Sequence, residues 1–155
     1  MYGRNLRAYR NTSVSAEIAV ADPYVITKML YQGIFERLAQ AKGAIERGDL
    51  AAKAQKLASA TAIIENLKNT LDFKRNAAIA QNFSDIYDYM LERIADAAVQ
   101  ISTTPIDQAL QIFMPIKQAW DSIPVEAQKE AAVIRAKDAD SAEFQNTQSL
   151  ARGTI

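Results

Sequence analysis

The chain has no cysteine and no histidine. That absence removes disulfides, cysteine nucleophiles, serine–histidine dyads and nearly every zinc or haem site. Glycine occurs five times and proline four times in 155 residues, so strong turn-formers are scarce. Eighteen basic and eighteen acidic side chains cancel to a formal charge of zero. Without a basic surplus for phosphate contacts, nucleic-acid binding is not expected. No stretch approaches the roughly 18 consecutive apolar residues of a membrane helix, so no membrane span is expected. Arg4, Arg7 and Arg10 are followed by no apolar run, so no secretory signal is expected either. A Gly-rich phosphate loop and a G-x-S-x-G elbow are both missing. These gaps leave no catalytic equipment in view: the chain is read as a non-enzyme with no cofactor and no metal.

What remains favours helix. Apolar residues make up 49% and charged residues 23%, a globular balance long enough for one real core. Alanine, leucine, glutamine, glutamate and lysine dominate, all good helix formers. A first helix is predicted to start at Asp22-Pro23, an acceptor for orphan N–H groups followed by a residue suited to the first helical position. Its apolar face reads Ile26, Met29, Leu30, Ile34, Leu38, Ala41 and Ile45. Arg47-Gly48-Asp49 ends it, with Gly48 in the left-handed position and Asp49 capping the next helix.

The second helix is expected from Leu50 to about Leu71, with Leu50, Leu57, Ile64 and Leu71 recurring every seven residues as a packing seam. Asn76 is a candidate cap for a third helix from Ala77 to about Ile101. Phe83, Ile86, Tyr87, Met90, Ile94, Ala98 and Ile101 fall on one side of it. Asp85, Asp88, Glu92 and Asp96 fall opposite. That acidic stripe is read as a solvated face, because carboxylate bundle sites point inward and use histidine. Ser102-Thr103-Thr104-Pro105 breaks the chain before a fourth helix through Ile106, Phe113, Ile116, Trp120 and Ile123. Pro115 lies inside this pattern and is expected to kink or split the helix.

The expected fold is all-α: an antiparallel up-down four-helix bundle over residues 22–123, with an N-terminal arm over 1–21. Residues 124–155 read as a polar tail, with a short helix up to Lys137 and disorder beyond Asp138. The arginines of the arm fit either an electrostatic contact with an acidic partner or membrane surface, or a solvated terminus, the last being favoured. Tyr31, Tyr87, Tyr89 and Trp120 fit either a binding surface or the core, and for Tyr87 the core is favoured.

Several segments in order resemble one family. Met29-Leu30-Tyr31-Gln32-Gly33-Ile34 resembles the helix-one signature of the FliS family of flagellin export chaperones, and Arg47-Gly48-Asp49 the turn that follows. Ile64 to Phe73 resembles the end of its helix two. Ile79 to Phe83 and Ile86 to Met90 resemble its helix three, and Trp120 stands where the family often has a tryptophan. The agreement runs from about Tyr9 to Ile123. Asn76-Ala77-Ala78 replaces a Gly-Gly pair common in the family, and Pro115 and the long tail are also departures.

The resemblance implies a cytoplasmic chaperone that holds the C-terminal helical region of flagellin and prevents its polymerisation before export. Helix-in-groove recognition is the implied physics. On this reading Ile34, Leu67, Leu71, Phe73 and Tyr87 are the apolar groove candidates, with Asn66 and Asn69 as polar contacts. Tyr9 and Val14 are the anchors of an N-terminal segment that covers the groove. The alternative is a regulatory adaptor that binds an anti-sigma factor, another flagellar protein or an export component.

Overall fold

The computed structural model describes residues 23–153. Four helices form the first unit: α1 (Pro23–Arg47), α2 (Leu50–Asn69), α3 (Ala77–Val99) and α4 (Thr104–Asp121). The local signals at their ends act as the sequence suggests. Gly48 has φ of +72°, a conformation that costs a residue with a Cβ. The Asp49 carboxylate accepts from Ala52 N–H, and the Asn76 side chain accepts from Ile79 N–H. Between α2 and α3, Asp72 Oδ1 accepts from the N–H groups of Lys74 and Arg75, which fixes the turn.

Paired contacts show the direction of each helix. Gly33 lies against Ile63, and Arg37 Nε donates to Ser59 Oγ, so α1 and α2 run antiparallel. Lys53 near the start of α2 reaches Ala98 and Gln100 at the end of α3, while Lys68 pairs with Asp88 at the opposite end. Tyr24 meets Trp120 at one end of the α1–α4 pair, and Lys42 meets Asp107 toward the other. The first unit is therefore an antiparallel up-down four-helix bundle.

Its core repeats one spacing. Tyr31, Ile34, Leu38 and Ala41 are buried on α1; Leu57, Ala60, Ile64 and Leu67 on α2; Tyr87, Met90, Ile94 and Ala97 on α3; Ile106, Ala109 and Phe113 on α4. Steps of three and four keep these side chains on one stripe of each helix. Tyr31 packs edge-on against Phe113, and Tyr24 stacks on Trp120 with ring centres 5.2 Å apart. Two hydrogen bonds close that end: Tyr24 Oη donates to Trp120 O, and Trp120 Nε1 donates to Tyr24 O.

The structure corrects several expectations. Met29 is exposed, and Tyr31 takes the core position near it. Leu50, expected in the seam of the second helix, and Ala98 and Ile101, expected on the apolar side of the third, are exposed, and Ala97 is buried instead. Helix α2 stops at Asn69, so Leu71 lies beyond it. Helix α4 runs through Pro115 without a break. The proline is exposed, so the Gln111 carbonyl that loses its N–H partner sits on the exposed side of the helix.

The second unit begins at Ser122 and contains α5, Val125–Arg152. The tail was expected to lose structure beyond Asp138, yet it is one helix of 28 residues. Alanine, glutamate, glutamine, lysine and arginine supply the propensity, and no proline interrupts them. The Gly153 N–H closes it on Ser149 O, although none of its residues is buried. No described helix is long and apolar enough to cross a membrane.

Candidate functional site

A groove runs between α2 and α3, with a volume of about 640 Å³. Its origin lies in side-chain size. Ala54 and Ala58 on α2, with Ala95 and Ala98 on α3, line it and are too short to fill the space between the helices. Leu57 and Ile94 form its deep wall, where they join the core. The rim at one end is apolar and wet: Leu50 is 56% exposed, Val99 81% and Ile101 79%. Apolar side chains this exposed, gathered along one concavity, mark a surface that gains by being covered.

Polar groups in the groove are few: Lys53 toward one end, Glu65 toward the other, and Thr61 between them on α2. Lys53 is buried, and its Nζ donates to Gln100 O at 2.7 Å and Ala98 O at 3.3 Å. The lysine thus satisfies carbonyls that α3 leaves open where it stops. Glu65 lines the far end and is exposed. One turn past it, the Lys68–Asp88 ion pair bridges α2 to α3.

Of the residues nominated from sequence, none lines this groove. Leu67, Leu71 and Tyr87 come together elsewhere, with Tyr31, Phe83 and Trp120, around a smaller depression of about 210 Å³ at one end of the bundle. Ile34 is fully buried and is a core residue, out of reach of a partner. Tyr87 is buried too, with its hydroxyl 2.9 Å from that of Tyr31. Burial pushes the Tyr87 hydroxyl well above its ordinary pKa, and the neighbouring Tyr31 adds to the rise. Burial raises Tyr31 as well, opposed by its hydrogen bond with Tyr87. Phe73 is exposed in the α2–α3 turn, and Asn66 and Asn69 are exposed on α2. Tyr9 and Val14 lie outside the described residues.

The groove residues that sequence reasoning missed were hidden in plain view. Leu50 continues the seam spacing of the second helix, and Ala98 and Ile101 continue the apolar side of the third, so in sequence all three read as core. The alanine-rich first half of α2 facing alanines in α3 is the signal that the two helices leave space there. The acidic stripe is largely partnered: Asp88 by Lys68, Glu92 and Asp96 by Arg93, and Asp85 by Gln81.

A small antiparallel bundle with an apolar groove open on its surface has the character of a protein-binding module. Comparison with known proteins narrows the class. The family described as flagellar protein FliS matches residues 5–127. The chain is 35% identical over 122 residues to the flagellar secretion chaperone FliS of Vibrio cholerae, covering 79% of this chain and 90% of that one. It is 33% identical over 118 residues to flagellar secretion chaperone FliSB of Pseudomonas aeruginosa, covering 76% and 94%. The FliS of Salmonella typhimurium is 33% identical over 123 residues, covering 79% and 91%. The chain belongs to the FliS family of flagellar secretion chaperones. Most of α5 lies beyond the part that matches the family.

Proposed function

We propose that the chain binds the C-terminal helical segment of flagellin in the cytoplasm, keeps it from polymerising before export, and catalyses no reaction. The observation that carries this reading is the α2–α3 groove with its exposed rim of Leu50, Val99 and Ile101. An amphipathic helix fits it: apolar anchors at steps of three and four lie over the alanine floor and exclude water from the rim. The client orders on binding, so the buried apolar area has to outweigh its lost chain entropy. A groove of this length and apolar character suits that balance.

Titration calorimetry of the flagellin C-terminal segment into the full chain tests the reading. It gives one-to-one stoichiometry and a negative heat-capacity change. Absence of heat at several temperatures would refute it.

The N-terminal arm acts as a cover in the same account, with Tyr9 and Val14 as anchors. Deleting residues 1–15 then raises client affinity; unchanged or weaker binding would count against a cover.

A further inference from the structure

We infer that the α2–α3 groove accepts its client helix in one direction only, antiparallel to α2, with the client's N-terminal end at Glu65 and its C-terminal end at Lys53. This rests on the groove being the client site. The walls themselves have no net polarity, because α2 and α3 run antiparallel and their dipoles oppose each other. Direction therefore falls to the charged side chains that line the groove, and there are two among the described residues: Lys53 and Glu65.

They stand at opposite ends. Twelve residues along α2 separate them by about 18 Å, or a little over three turns of a bound helix. Lys53 has three N–H donors and gives two to carbonyls of the α3 end, so one donor and most of its charge remain. Asp49, close to Lys53 in sequence, is committed to the N–H of Ala52 as the cap of α2. At the other end the Lys68–Asp88 pair is neutral as a unit, and Glu65 has no hydrogen-bond or ion-pair partner among the described residues. The groove is thus positive at the Lys53 end and negative at the Glu65 end.

A helix presents the complementary pattern: partial positive charge at its N-terminus and partial negative charge at its C-terminus. Lying antiparallel to α2, it matches both ends. A lysine or arginine in its first turns strengthens the match by pairing with Glu65. In the reverse orientation both ends meet like charge, which disfavours the misdocked register without any steric block.

The absence of cysteine makes the test clean, because A51C and N69C, at exposed positions outside the groove lining, each accept a single nitroxide label. Isotope-labelled flagellin C-terminal segment is added to each labelled full-length chain, and paramagnetic broadening is read along the segment. The inference requires the label at 51 to broaden residues toward the C-terminal end of the bound helix, and the label at 69 to broaden those toward its N-terminal end. The reversed pattern, or equal broadening at both ends, overturns it while leaving the groove as the site. Binding with no broadening from either label overturns the groove reading itself, and the inference with it. As a second measurement, E65K weakens binding about fivefold at low salt, in line with one exposed charge pair. Affinity unchanged in E65K would contradict a role for Glu65.

Discussion

The hydroxyls of Tyr31 on α1 and Tyr87 on α3 meet 2.9 Å apart inside the bundle, each the hydrogen-bond partner of the other. Both residues are buried, so their polar tips depend on one another. Removing one hydroxyl strands its partner, whereas removing both leaves an apolar contact of similar shape. Y87F and Y31F are each expected to lose about 1–3 kcal/mol, and the double variant less than either single change. A double-mutant cycle from chemical denaturation checks this; additive losses would show that the two hydroxyls do not depend on each other.

The same pair sets an alkaline limit. Both hydroxyls are raised above the ordinary value of 10.0 in the folded chain. Above pH 10 the unfolded chain releases these protons while the folded chain keeps them, so unfolding gains. Stability from this source is complete below about pH 10 and falls above it. Melting temperatures measured between pH 8 and 11.5 should stay level and then drop. The Y31F/Y87F double variant should drop less steeply.

Lys53 joins the start of α2 to the end of α3 through two carbonyls. K53M keeps the buried stem and removes the donors, leaving those carbonyls open. A loss of about 1–3 kcal/mol is expected. Hydrogen exchange should show earlier opening over the last turns of α3 than over its middle. Uniform opening along α3 would argue against a local role for the lysine.

Helix α5 contributes no buried residue. Ending the chain after Asp121 is therefore expected to leave the melting temperature of the bundle within about 3 °C, which corresponds to at most about 1 kcal/mol for a domain of this size. A larger fall would show that residues 122–155 support the bundle.

Much of the bundle is legible in sequence, because its signals are local. Asp49, Asn76 and Gly48 act on backbone groups within a few residues, and the spacing of three and four within each helix points to the core. The groove was not legible for a matching reason. Leu50 and Ile101 carry the same apolar signal as Leu57 and Ile94. Only the size of the side chains on the opposite helix decides which are covered, and that is a non-local fact. Ala54, Ala58, Ala95 and Ala98 leave the outer residues wet while the inner ones pack. Ile34 and Tyr87 carry that same apolar signal, and the bundle buries both in its core. Helix α5 was missed because composition alone does not separate an exposed helix from a disordered tail.

The most direct test of the groove as the client site is a substitution on its floor. Ala58 lines the groove and is exposed, so A58R places a charged side chain in the client's path without disturbing the core. Fluorescence anisotropy with the labelled flagellin C-terminal segment compares A58R with the unaltered chain, with melting temperature as the control for folding. The account predicts at least about a hundredfold loss of affinity, some 2.7 kcal/mol, with the melting temperature retained. Full affinity in a folded A58R chain would contradict it.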